Sequence, residues 1–152
     1  MADAVRATLT GDKQLVALCR ELPKRVVKKH QRRAVSAGGT PILQAARADA
    51  AVESGLLKKA LVKKVKTYPS GNAAAIVGAN RAKVGEFKGR KRVPAHYIHL
   101  VEEGHDGPAP APAHPFLEPA FESVKAEAVR TTQAKLKAGV EDEARKLSSG
   151  VK

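Results

Sequence analysis

The chain has 152 residues, enough for one domain, and its 43% hydrophobic and 28% charged content excludes a disordered protein. Lys and Arg number 28 against 15 Asp and Glu, a formal net charge of +13 that calls for an anionic neighbour, nucleic acid or an acidic protein surface, without choosing between them. No apolar run approaches the roughly 20 residues of a membrane span and no apolar signal core opens the chain, so a soluble protein made in the cytoplasm with no membrane partner is expected.

Residues 1–11 read as a flexible lead-in to a helix entered at Thr10-Gly11-Asp12. Leu15, Leu18, Cys19, Leu22 and Val26 recur at helical spacing, while Lys24, Arg25, Lys28, Lys29, Arg32 and Arg33 crowd the other sides. Cys19, the lone cysteine, excludes an intramolecular disulfide and is expected as buried apolar filler. Pro23 should kink this helix or start its second piece, and Ala37-Gly38-Gly39-Thr40-Pro41 is a second expected interruption, after which Ile42, Leu43, Ala46 and Ala50 resume the stripe. One long, broken helical arm from about residue 12 to 51 is the reading.

Glu53-Ser54-Gly55 ends that arm, and the segment that follows passes from a turn of helix to a strand, with Val65 and Thr67 on one face and Lys64 and Lys66 on the other. Pro69-Ser70-Gly71-Asn72 is a turn, and Ala73 to Gly78 returns as the second strand of a hairpin, one face covered by the helical arm. Residues 80–93 form a basic loop or edge hairpin, with Arg81, Lys83, Lys88, Arg90, Lys91 and Arg92 placed to follow phosphates, and with Gly85 and Gly89 as hinges. The stretch has almost no aromatic interleaving, which argues against sequence reading or single-strand binding. Pro94 opens a short helix closed by Gly104, and residues 105–115 are too rich in Pro and Ala for a regular element, so an extended loop is expected. A last helix starts with Pro119 in its first turn and carries Phe121, Val124, Ala128, Leu136, Val140 and Leu147 on its stripe, about 29 residues and about 43 Å. Residues 148–152 are left as a flexible tail. The fold class is therefore α+β, one domain over 1–152, with a small antiparallel sheet built on a hairpin. With only 3% aromatics and no Trp, its core is expected to be thin and supplemented by oligomerisation.

His96 and His99, with Glu102, Glu103 and His105 behind them, are the one grouping with metal-binding residue types. No Glu follows the first His as in the zinc-hydrolase pattern, and half-exposed helix surface is the expected role. Phosphate loops, nucleophile elbows and dinucleotide fingerprints are absent from the sequence, so neither catalysis, metal nor cofactor is expected.

Ala95-His96-Tyr97 with Val101-Glu102-x-Gly104, followed after a loop by Pro115-Phe116-Leu117-x-Pro119-Ala120, resembles the tail-completion and head-tail joining proteins of long-tailed double-stranded DNA phages, the lambdoid gene-product-ten-like group. Ser54-Gly55-x-Leu57-Lys58 after a basic, alanine-rich helix is similar to that family's Thr-Gly-x-Leu-Arg. The matches fall in family order from about Leu15 to Val140. His105 and Ser54 stand where the family commonly has Thr. The resemblance implies a non-enzymatic virion subunit, assembled in the host cytoplasm, that forms a hexameric ring at the neck or head-proximal end of the tail. The implied partners are its own copies, the tail terminator or tail tube, head-proximal connector proteins, and genomic double-stranded DNA in the lumen. Tyr97, Glu102, Gly104, Phe116, Leu117 and Pro119 become expected subunit-docking anchors. The charge alone leaves a small basic nucleic-acid-binding protein as the alternative.

Overall fold

The computed structural model describes residues 22–50 and 53–149, together with Lys13, Ala17, Cys19 and Arg20. Expectations for the lead-in, for Leu15 and Leu18 and for the side chain of Leu147 lie outside the described residues. Elements run α1 (Lys24–Asp49), α2 (Leu56–Ala60), β1 (Leu61–Thr67), β2 (Ala73–Ala79), β3 (Gly85–Phe87), β4 (Arg90–Arg92), α3 (Pro94–Glu103) and α4 (Leu117–Ser149). The protein is α+β, as the periodicities require. α1 lies between a β-hairpin and the long α4.

Pro23 sits immediately before α1, where its missing N–H costs nothing, and its carbonyl accepts from Val26 and Val27. The second expected interruption does not occur, because α1 runs unbroken through Gly38, Gly39 and Pro41. Two tertiary features offset the local cost. From β1, the Lys63 ammonium donates to the Ser36 carbonyl and to Thr40 Oγ1, tying the hairpin to the turn that precedes Pro41, where the Thr40 hydroxyl also donates to the Ser36 carbonyl. The two glycines let neighbours approach from different sides. A Cβ at Gly38 would lie 1.9 Å from Thr132 Oγ1 and 2.7 Å from the Ala128 carbonyl of α4, whereas one at Gly39 would lie 2.7 Å from the Ala75 methyl of β2.

β1 and β2 pair antiparallel from Leu61↔Ala79 to Thr67↔Ala73, closed by a turn in which Tyr68 N–H donates to Asn72 O and Gly71, at φ 90°, donates to Tyr68 O. Alternation along β1 buries Leu61 and half-buries Lys63 and Val65 toward α1, leaving Lys64 and Lys66 exposed. β3 and β4 form a second, separate hairpin with the two-residue turn Lys88-Gly89, both at positive φ, the geometry that matches strand twist. Gly89 is thus a turn residue. Gly85 is a packing residue, its missing Cβ lying 2.1 Å from the Leu56 side chain.

The main core cluster joins Ala46 and Ala50 of α1, Leu57 of α2, Leu61 of β1, and Phe116 and Ala120 at the start of α4. Of the eleven buried apolar residues described, six are alanine, so burial is obtained by bringing backbones close rather than by filling space with large side chains. Antiparallel α1 and α4 show this along their length. Gly38 meets Ala128 and Thr132, Ala34 one turn earlier is buried, and the His30 ring fills the space at Gly139 and reaches Glu143 through Nε2–Oε1 at 3.2 Å. Cys19 is half-buried rather than fully buried, and that partial burial pushes its thiol pKa up.

Gly38→Ala tests the close approach directly. The substitution gains about 1 kcal/mol of helix propensity but forces α1 from α4, and a net loss of about 1–3 kcal/mol in urea unfolding is expected. A second prediction concerns Glu143, whose carboxyl is held below its ordinary value of 4.5 by the hydrogen bonds from His30 and then Lys146. A depressed carboxyl contributes stability that is present above the unfolded value and lost as pH falls through the folded one. Wild type should therefore exceed Glu143→Gln in stability at pH above 4.5, and the two should converge as the pH is lowered further.

Candidate interaction surfaces

An α-helix begins with amide hydrogens that have no intrahelical acceptor. At the start of α4 these are supplied from another helix. The Glu102 carboxylate, in the last turn of α3, accepts from Phe116 N–H at 3.0 Å, Leu117 N–H at 3.1 and 3.2 Å, and Glu118 N–H at 3.3 Å. The next residue, Pro119, has no N–H to satisfy, and Ala120 N–H makes the first backbone bond, to Phe116 O. A carboxylate at this end also complements the helix dipole.

The intervening loop is anchored at both ends. Gly104 turns the chain out of α3 at φ 73°, where a Cβ would meet Ala113 N at 2.6 Å and Ala111 O at 2.9 Å. His105 and Ala111 exchange two backbone hydrogen bonds at 3.0 Å, and His114 N–H donates to Val101 O at 2.7 Å. The tip, Asp106 to Pro110, is exposed, with Gly107 N–H donating to His105 Nδ1. The loop holds no helix or strand, as expected of its Pro and Ala content, and is pinned at its two ends as a clasp.

These contacts give two of the expected docking anchors roles within their own chain. Phe116 is 2% exposed, packed into the core of its own chain, and the Glu102 carboxylate is spent on the cap. Gly104 is required by the turn, and Leu117 packs against the core cluster. Pro119 is exposed on α4. Tyr97 is half-buried and lines a cleft of about 460 Å³ with Leu57, Phe87, Arg92, Val101 and His105. Burial pushes its phenol pKa up, against an opposing effect of Arg92. The signal for the cap was present in the sequence as Glu102-x-Gly104 and Phe116-Leu117-x-Pro119, but nothing in one chain of letters says that the two segments touch.

Arg81, Lys83, Lys88, Arg90, Lys91 and Arg92 are all exposed on and before the β3–β4 hairpin. They do not form one surface. Alternation puts Lys91 on the face opposite Arg90 and Arg92, Glu86 pairs in register with Lys91, and Lys88 lies 3.9 Å from Glu53 and over the Phe87 ring. A denser cationic surface lies on α1, where Arg25, Lys28, Lys29, Arg32 and Arg33 converge with Thr67 of β1. His96 and His99 are exposed on α3, and His105 Nδ1 accepts from Gly107 N–H at 3.3 Å. Among the described residues no three His, Cys, Asp or Glu side chains stand together as a metal site, and no helix is long and apolar enough to cross a membrane. No protein-family model, curated protein or solved structure matches the chain.

Glu102→Ala should cost about 2 kcal/mol in urea unfolding, and should speed amide hydrogen exchange at Leu117 and Glu118 before the rest of α4. Phe116→Ala should cost more, about 3–5 kcal/mol, as a loss of folding rather than a selective loss of assembly.

Proposed function

We propose that the chain is a structural virion subunit, a tail-completion or head-tail connector protein that forms a ring at the neck or head-proximal end of a phage tail. The observation that carries the reading is the Glu102 clasp. It joins the two motif segments on which the resemblance rests, Tyr97 to Gly104 and Pro115 to Ala120, into one physical unit, and so gives a reason for their occurring together.

Other features support it. The β1–β2 sheet has two strands, so each has an edge with no strand beside it among the described residues, and such edges accept strands from neighbouring copies. A core built largely of alanine gains from burial between subunits. The loop tip, Asp106 to Pro110, is an exposed arm on the clasp. In this reading its partners are its own copies in a hexamer, the tail terminator or tail tube, the head-proximal connector, and genomic DNA in the lumen, met by the cationic hairpin. The place of action is the virion, after assembly in the host cytoplasm.

Replacing Asp106 to Pro110 by a short Asn-Gly turn should leave the unfolding midpoint nearly unchanged and abolish ring formation in native mass spectrometry with neck and tail components. A wild-type protein that stays monomeric with those components present would sink the reading.

A further inference from the structure

We infer that the N-terminal half of α1 is a binding face for the phosphate backbone of duplex nucleic acid, distinct from the β3–β4 hairpin. Arg25, Lys28, Lys29, Arg32 and Arg33 follow the i, i+3, i+4, i+7, i+8 spacing that places residues on one side of a helix, here with charge in place of an apolar stripe. All five are exposed, and they line one concavity closed on its far side by Thr67. None makes an ion pair or side-chain hydrogen bond with a described residue, and the first carboxylate in the helix is Asp49, at its opposite end.

Several electrostatic effects oppose this arrangement in the free protein. Arg25 and Lys29, Lys28 and Arg32, and Lys29 and Arg33 are like charges one turn apart. They also crowd the positive end of the helix dipole, in a first turn with no acidic residue and no side-chain cap. A polyanion laid along the helix relieves all of these at once.

The lining selects the kind of polyanion. Apart from the cations it offers only Thr67, with no apolar pocket to take the anchors on which protein partners depend. No aromatic ring lines it for unpaired bases to stack on, which disfavours a single strand. Closely spaced backbone charge is what remains, and duplex phosphates supply it without sequence preference. The hairpin, with charges divided between two faces and partly offset by Glu86 and Glu53, is the weaker contact. The inference goes beyond the ring reading and does not depend on it.

The test compares two variants that remove the same number of charges from the full chain, K28Q/K29Q/R32Q/R33Q on α1 and R81Q/R90Q/K91Q/R92Q at the hairpin. Binding is read by fluorescence anisotropy of a labelled random-sequence duplex of about 30 base pairs over a salt series. The α1 variant is expected to weaken binding about 100-fold near 0.1 M salt and to lower the salt slope by about 3–4, and the hairpin variant less than about tenfold. Equal losses would reduce the effect to bulk charge, and a larger loss at the hairpin would reverse the assignment; either overturns the inference. Competition by poly-glutamate as effective as by duplex at equal charge would overturn it in favour of an acidic protein. Gln suits exposed helix positions, so the α1 variant should unfold at or above the wild-type temperature. Should it not fold, the milder K28Q/R32Q takes its place, with about half the change in slope. Native mass spectrometry of the same samples reads ring formation separately, so failure of the ring reading is visible with duplex binding intact.

Discussion

The structure depends on one carboxylate. Glu102 takes the three N–H groups that open α4, and Pro119 supplies none at the next position, so the entry of a 33-residue helix is accounted for by a side chain from a different element. The same contact holds α3 against the start of α4 and brings Phe116 down onto Ala46, Ala50, Leu57 and Leu61. Cap, clasp and core are therefore one arrangement. Its charge is well placed, because hydrogen bonds to an ionised acceptor are stronger than neutral ones and the helix start is electropositive.

The second constraint is closeness. α1 is packed on two sides, and Gly38 and Gly39 serve different neighbours: Thr132 and Ala128 of α4 for the first, Ala75 and Lys63 of the hairpin for the second. With small residues at these contacts, backbones approach and dispersion contacts accumulate without large side chains. Such a core buries few large apolar side chains for a chain of this size. A subunit that gains further burial from neighbouring copies fits that condition, which is why the thin core and the ring proposal belong together.

Charge is distributed with less symmetry than the net value suggests. The hairpin cations attract attention in the sequence because they cluster along it, yet alternation in a strand sends neighbours to opposite faces. The α1 cations are spread over nine positions of sequence and still share a face, because helical spacing brings them back to it. Density in space, not in sequence, decides which group can follow a line of phosphates.

Sequence alone determined the elements whose causes are local. The β1–β2 hairpin follows from alternation and the Pro69 to Asn72 turn, the start of α1 from Pro23, and the long last helix from its apolar spacing, although that helix begins two residues before Pro119 and continues into the expected tail. What only the tertiary structure decided was the role of residues whose partners are distant along the chain. Gly38-Gly39-Thr40-Pro41 reads as a break because propensity measures local cost, and the donors and close neighbours that offset it come from β1, β2 and α4. Glu102 and Phe116 read as outward anchors because a short motif shows that residues matter without showing what they touch. A hydrogen bond across fourteen residues, as from Phe116 N–H to Glu102, becomes visible only when the chain is folded back on itself.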